Sequence, residues 1–322
     1  MKKALVVGIN NYTSCPLNGC INDAKAVGSA ISRNGDGTVN FAVKTLEDVQ
    51  TKGALRNAID ECFSGDADIA LFYFSGHGFI DSVGGYIVTP DFTSGDYGLS
   101  MQDLLTIVNN SKCKNKVVIL DCCHSGMIGN LQIGNQNTAI ISEGVTLLTA
   151  SKKDESSMEV NGHGVFTSLL IDALNGGAAD LLGNITLGGI YAFIDKSLGP
   201  WDQRPVFKTN VTSFSPIKAV IPPVSLDVLR CIGELFSDPD EQFALDPSFE
   251  PTNAPNVQHE VITPYADAAN TGIFQKIQKL ESVGIVVPNG TPHMYYAAME
   301  SKSCSLTATG KYYWSLLKKN II

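Results

Sequence analysis

Short, almost continuous apolar runs alternate with segments whose apolar residues recur at helical spacing. The runs predict strands at 3–9, 40–45, 68–74, 86–88, 116–121, 145–149 and 205–208. Helices are predicted at 22–33, 52–63, 100–109, 166–175 and 186–197. Runs this apolar belong to strands buried on both faces, and their alternation with helices implies βαβ units and a largely parallel sheet. This is an α/β pattern.

Sheets of that kind bind ligands beyond the carboxyl ends of their strands. Two predicted strands end in unusual chemistry. "DIALFYFSGHG" finishes on Ser75, Gly76, His77 and Gly78, and "KVVILDCCHSG" on Asp121, Cys122 and Cys123. Because residues i and i+2 of a strand share a face, Asp121 and Cys123 should point together while Cys122 turns into the packing. Cys123 is therefore the candidate nucleophile. A thiol of ordinary acidity is only a few per cent ionised at neutral pH, so it needs a base, and His77 at the end of another strand is the natural partner. Acyl transfer also needs backbone N–H groups to meet an oxyanion, and the amides of Gly78 and Cys123 are the candidates.

Other residues compete for these roles. His163, between glycines in "NGHGVF", is a rival base, while His124 lies one step along from the thiol and off its face. Cys122 and Cys123 could form a redox pair, Asp23 could cap the helix beginning near Ala24, and Ser75 and Asp121 could be loop formers.

After residue 214 the pattern changes. "SPIKAVIPPVS" holds three prolines, which predicts a linker at 215–224 between a first domain, 1–214, and a smaller α+β domain, 225–322. In the latter, "GIFQKIQKLESVGIVV" predicts a helix with Ile273, Ile277 and Leu280 on one face and Gly284 as its stop, and Thr307 is placed to cap a final helix. Helix, wing-like strands and "LTATGKYYWSLL" resemble a winged helix.

Composition narrows the function. The chain has 322 residues, 44% hydrophobic and 17% charged, with a formal charge of -9. It is acidic both from residue 221 onward (7 basic, 11 acidic) and before it (16 basic, 21 acidic), which argues against nucleic acid as a partner. The opening apolar run, Ala4 to Ile9, is too short for a secretory signal or a membrane span, and no partner membrane is expected. Eight cysteines without a CxxC pair suit a reducing cytoplasm.

"FYFSGHG" followed by "ILDCCHSG" resembles the histidine and cysteine motifs of caspase-like cysteine proteases, and metacaspases and bacterial caspase-like proteins in particular. "ALVVGINNY", "LNGCINDAKAV" and "TLLTASKKDESSMEVNGHGVFTSLL" fit the same family, so the likeness spans approximately 1–210. The resemblance implies the caspase-hemoglobinase fold, a mostly parallel six-stranded sheet with helices on both faces, and a Cys123/His77 dyad. By matching motif it also implies that Asp23, Ser75 and Asp121 line the P1 pocket. Two carboxylates favour a basic P1 residue, so the expected substrate is a protein or peptide cleaved after Arg or Lys. Calcium-dependent relatives gather acidic residues between the two motifs, whereas here Asp81, Asp91, Asp96 and Asp103 are spread out. Neither a metal nor another cofactor is expected. Lys152 and Lys153 would suit self-cleavage. Gating by the second domain, through a small signalling molecule or a partner protein, and a place in antiviral defence are expected by analogy. The alternatives are a catalytically silent adaptor and, less compatible with the acidic charge, a DNA regulator.

Overall fold

The computed structural model describes residues 1–122, 132–133, 136–137, 140–150, 159–160, 163–199, 204–258 and 260–322. They form two compact units, Met1–Ile221 and Pro222–Ile322.

The first unit is built on a six-stranded sheet. Its strands are β1 (Lys2–Gly8), β2 (Ala42–Glu47), β3 (Ile69–Ser75), β4 (Asn115–Asp121), β5 (Val145–Thr149) and β6 (Val206–Asn210), in the order β6-β5-β4-β3-β1-β2. All neighbours are parallel except the β5–β6 edge pair. Five helices cover it: α1 (Cys20–Ser32), α2 (Lys52–Phe63), α3 (Met101–Asn110), α4 (Val165–Asp172) and α5 (Leu187–Ser197). Leu5, Val7, Phe72, Phe74, Val118 and Leu120 pack with α2 and α3 on one face. Ala4, Val6, Leu71, Tyr73, Val117 and Ile119 pack with α1, α4 and α5 on the other. This two-sided burial is why the central strands read as unbroken apolar runs.

Boundaries differ from expectation where side chains intervene. β2 starts at Ala42 because Asn40 acts as a connector, its Nδ2 donating to the carbonyls of Ile31 and Ile217. The segment after Phe166 gives way to a wide helical turn, Ala173–Gly177, where Gly176 adopts φ 125°. The 86–88 strand is part of Gly85–Thr93, which lies in a separate antiparallel sheet between Gly78–Ile80 and Asp96–Ser100. The stretch expected as a linker is partly ordered in the first unit. Lys218–Ala219 pairs antiparallel with Asn184–Ile185, and the Lys2 ammonium donates to the carbonyls of Pro216 and Ile217. The prolines flank this short strand and do not interrupt it.

The second unit holds a three-stranded antiparallel sheet, with Ser303–Leu306 between Gln242–Ala244 and Val286–Asn289. The helix Ala268–Ser282 buries Phe274, Ile277 and Leu280, so Phe274 takes the place expected of Ile273. Gly284 ends that segment at φ 72°, and the Thr307 hydroxyl accepts from the Gly310 amide. Of the one or two short strands expected in "MYYAAMESKSCSLTATGKYYWSLLKKN" one forms, Ser303–Leu306; Met294–Met299 is a helix instead, and Ala308–Lys318 is the final helix.

α1 begins without a side-chain cap of its own, because Gly19 occupies the N-cap. Asn10, beyond the end of β1, supplies one: its Oδ1 accepts from the amides of Cys20 (3.0 Å) and Ile21 (3.3 Å). Asp48 in turn accepts from the Asn10 and Asn11 amides. Asn10→Ala is expected to lower the stability of the first unit by about 1 kcal/mol, the ordinary worth of a cap, read from the urea midpoint at unchanged slope.

Candidate active site

The strand order reverses between β1 and β3, which is where an open parallel sheet leaves a crevice at its carboxyl edge. Register sets what lines that crevice. Gly8 pairs with Ser75, and Ser75 with Asp121, so three strands end in one row. Gly8 is required there, since a Cβ would come 2.3 Å from the Cys20 carbonyl oxygen. That close approach lets α1 carry Asp23 over the row.

Asp23, Ser75 and Asp121 come together, and all three are buried. The Ser75 hydroxyl donates to Asp23 Oδ2 at 3.2 Å. Asp121 Oδ2 accepts from the Thr167 hydroxyl at 2.7 Å, and Thr167 Oγ1 lies 2.6 Å from the Tyr73 hydroxyl. Burial, with the nearby Asp121 and Asp23 charges, pushes the Tyr73 hydroxyl well above its usual pKa, so it remains a proton donor. A Cβ on Gly164 would lie 3.1 Å from Asp121 Oδ2 and 3.8 Å from Asp23 Oδ2, so both carboxylates face this glycine. Asp23 is not a helix cap. α1 starts three residues earlier, and the Asp23 side chain binds Ser75. Buried carboxylates are tolerated only with such donors and a compensating charge.

His77 leaves the end of β3 and is held from three sides. Its backbone N–H donates to the Tyr12 hydroxyl at 3.1 Å, its carbonyl accepts from the Val88 amide at 3.0 Å, and its ring meets that of Tyr12 edge-on at 4.6 Å. His77 Nε2 lies 2.7 Å from the Cys15 carbonyl oxygen. A carbonyl can only accept, so Nε2 carries the proton, and in the neutral ring Nδ1 holds the lone pair. Gly76 gives Tyr12 its space: a Cβ there would stand 2.6 Å from the Tyr12 hydroxyl. Gly78 pairs with Ile87, between the bonded rows marked by Val88 N–H to His77 O and Asp81 N–H to Gly84 O. Antiparallel ladders bond alternate pairs, so the Gly78 N–H points away from the neighbouring strand.

Cys122 is 1% exposed and packs with Leu120 on the α2/α3 face, as strand alternation requires. Cys123, His124, Lys152 and Lys153 lie outside the described residues, as does the side chain of His163. No disulfide joins the described cysteines. Burial pushes Cys62 up to about 11 and Cys304 up to about 12, while Cys15 is exposed. The four scattered aspartates have structural tasks. Asp81 accepts from the Val83 and Gly84 amides, Asp91 from the Lys52 amide, Asp103 pairs with Arg56 and Asp96 with Lys52. Among the described residues no group of three His, Cys, Asp or Glu side chains could hold a metal, and no helix is long and apolar enough to cross a membrane.

A mostly parallel six-stranded sheet with a histidine and a cysteine motif on adjacent strand ends defines a caspase-type cysteine protease class, hydrolases with protein substrates. Residues 1–213 match the family model of the caspase domain (peptidase C14), and the chain belongs to that family. No curated protein matches it.

The His77 tautomer is directly measurable. Imidazole nitrogen NMR at pH 8 is expected to show a protonated Nε2 and a bare Nδ1; the reverse pattern would mean that the Cys15 carbonyl does not orient the ring.

Proposed function

We propose that the chain is a cysteine endopeptidase in which Cys123 attacks the peptide carbonyl and His77 is the general base, with cleavage after Arg or Lys. The observation that carries the reading is the gathering of Asp23, Ser75 and Asp121 at the strand ends from which His77 departs. Two anionic groups in a buried site favour a cationic side chain, and a guanidinium can engage a carboxylate with two parallel hydrogen bonds. An aspartate at P1 would meet like charge there.

The dyad rests on register. Ser75 and Asp121 are paired neighbours, and His77 and Cys123 are each two residues further along. His77 Nδ1 would take the thiol proton as sulfur attacks and later return it to the leaving amine. The amides of Gly78 and Cys123 would meet the tetrahedral oxyanion, each worth roughly 3 to 4 kcal/mol of transition-state stabilisation. The second unit would hold the protease in check until a small molecule or a partner protein binds it. Defence against infection is a fitting setting for such gating, and Lys152–Lys153 is a fitting site for self-processing.

Hydrolysis of a peptide panel tests this. Arg and Lys at P1 should be cut at least about a hundred-fold faster than Asp, the scale that separates an attractive buried charge pair from a repulsive one. Cys123→Ala and His77→Ala should each abolish turnover, and no cleavage by wild type in cell extract or after removal of the second unit would instead make the chain a silent adaptor. Two fragments from wild type and a single chain from Cys123→Ala would establish processing at the lysine pair.

Tyr12→Phe keeps the ring beside His77 but removes the hydroxyl that accepts its backbone N–H. On the protease reading kcat should fall by about ten-fold with KM little changed, the worth of a neutral hydrogen bond, measured on an Arg-P1 peptide.

A further inference from the structure

The first turn of α4 reaches the carboxylates from the side opposite β3 and β4, and sequence motifs assign it no role. Thr167 is fully buried, and its one hydroxyl proton goes to Asp121 Oδ2 at 2.7 Å. The Tyr73 hydroxyl, 2.6 Å away, must therefore donate to Thr167 Oγ1, giving a one-way chain from Tyr73 through Thr167 to Asp121. A carboxylate with one oxygen held this way has a fixed plane. Two-point recognition of a guanidinium depends on that plane.

Gly164 adds an independent observation. It sits at φ -63° and ψ 145°, a conformation open to any residue, so backbone freedom does not explain the glycine. Space does. A methyl group there would stand 3.1 Å from one carboxylate oxygen and 3.8 Å from the other, pressed against both acids.

We infer that the first turn of α4 is the fourth wall of the P1 pocket, with Thr167 the positioning residue for Asp121 and Gly164 the opening that admits the guanidinium. This rests on the protease reading above and makes a separate claim about which residues set Arg preference.

The test compares peptides with Arg, Lys or citrulline at P1, citrulline being the neutral isostere of Arg. Thr167→Val, which keeps the shape and loses the donor, should lower kcat/KM for the Arg peptide by about ten- to hundred-fold, chiefly through KM, with the citrulline peptide little affected. Thr167→Ser should restore most of the loss. Gly164→Ala, compatible with the backbone, should reduce the Arg-to-Lys preference, since the larger guanidinium loses most from the added methyl. Iodoacetamide, which needs no P1 pocket, should alkylate Cys123 at the wild-type rate in both variants. An unchanged Arg-to-citrulline ratio in Thr167→Val, or an unchanged Arg-to-Lys ratio in Gly164→Ala, overturns the inference while leaving the protease reading intact. If wild type itself does not distinguish Arg from citrulline, the basic-P1 reading fails and this wall fails with it.

Discussion

The parallel pairing of β3 with β4, Ile69 to Ser75 against Asn115 to Asp121, is the constraint on which the rest of the first unit depends. Both strands are buried nearly throughout, so each residue has a face it must keep. A slip of one residue would send Tyr73 and Ile119 into the α2/α3 layer and Phe72 and Leu120 into the other. Hydrophobic packing on two sides thus fixes a register, and the register fixes which polar groups meet at the edge. The chemistry is positioned by residues that have none of their own.

Beyond that edge the energetics change character. Asp23 and Asp121 are buried and accept from hydroxyl donors. Carboxylates out of water cost several kcal/mol each unless balanced by opposite charge. The two sheet faces divide the work. Asp23 and Thr167 lie with α1 and α4, whereas Tyr12 and Cys122 belong to the α2/α3 layer.

Much of this was legible in the chain. Apolar runs marked the strands because burial on both faces leaves no polar alternation, and the residues just past two of those runs marked the carboxyl edge. Strand alternation correctly turned Cys122 inward. Other features carried no signal of residue type. The Cys15 group that meets His77 is a backbone carbonyl, which every residue possesses. Thr167 looks like an ordinary helical threonine until Asp121 is found beside it, and Asn10 caps a helix that starts ten residues later through a turn that sequence spacing does not disclose. Gly164 reads as a loop glycine, although its dihedrals are unexceptional. Asp23 was open to a capping role because the start of α1 could be placed only approximately, and a shift of a few residues separates a cap from a side chain that meets Ser75. The Pro-rich stretch near 216 suggested a linker or domain border, and what the sequence did not disclose is the strand pair its prolines border, which only a distant partner, Asn184–Ile185, makes possible.

The cluster formed by Asp23, Ser75, Asp121 and Thr167 draws on four separated parts of the chain, joined by hydrogen bonds that close loops of 46 and 52 residues. Contacts so distant in sequence form late, after the intervening loops have been closed. On a ribosome the chain emerges amino terminus first, so Asp23 and His77 are exposed well before α4 has been translated. A nascent or truncated product therefore lacks the finished cluster, and synthesis itself imposes a delay between the appearance of its first members and their assembly.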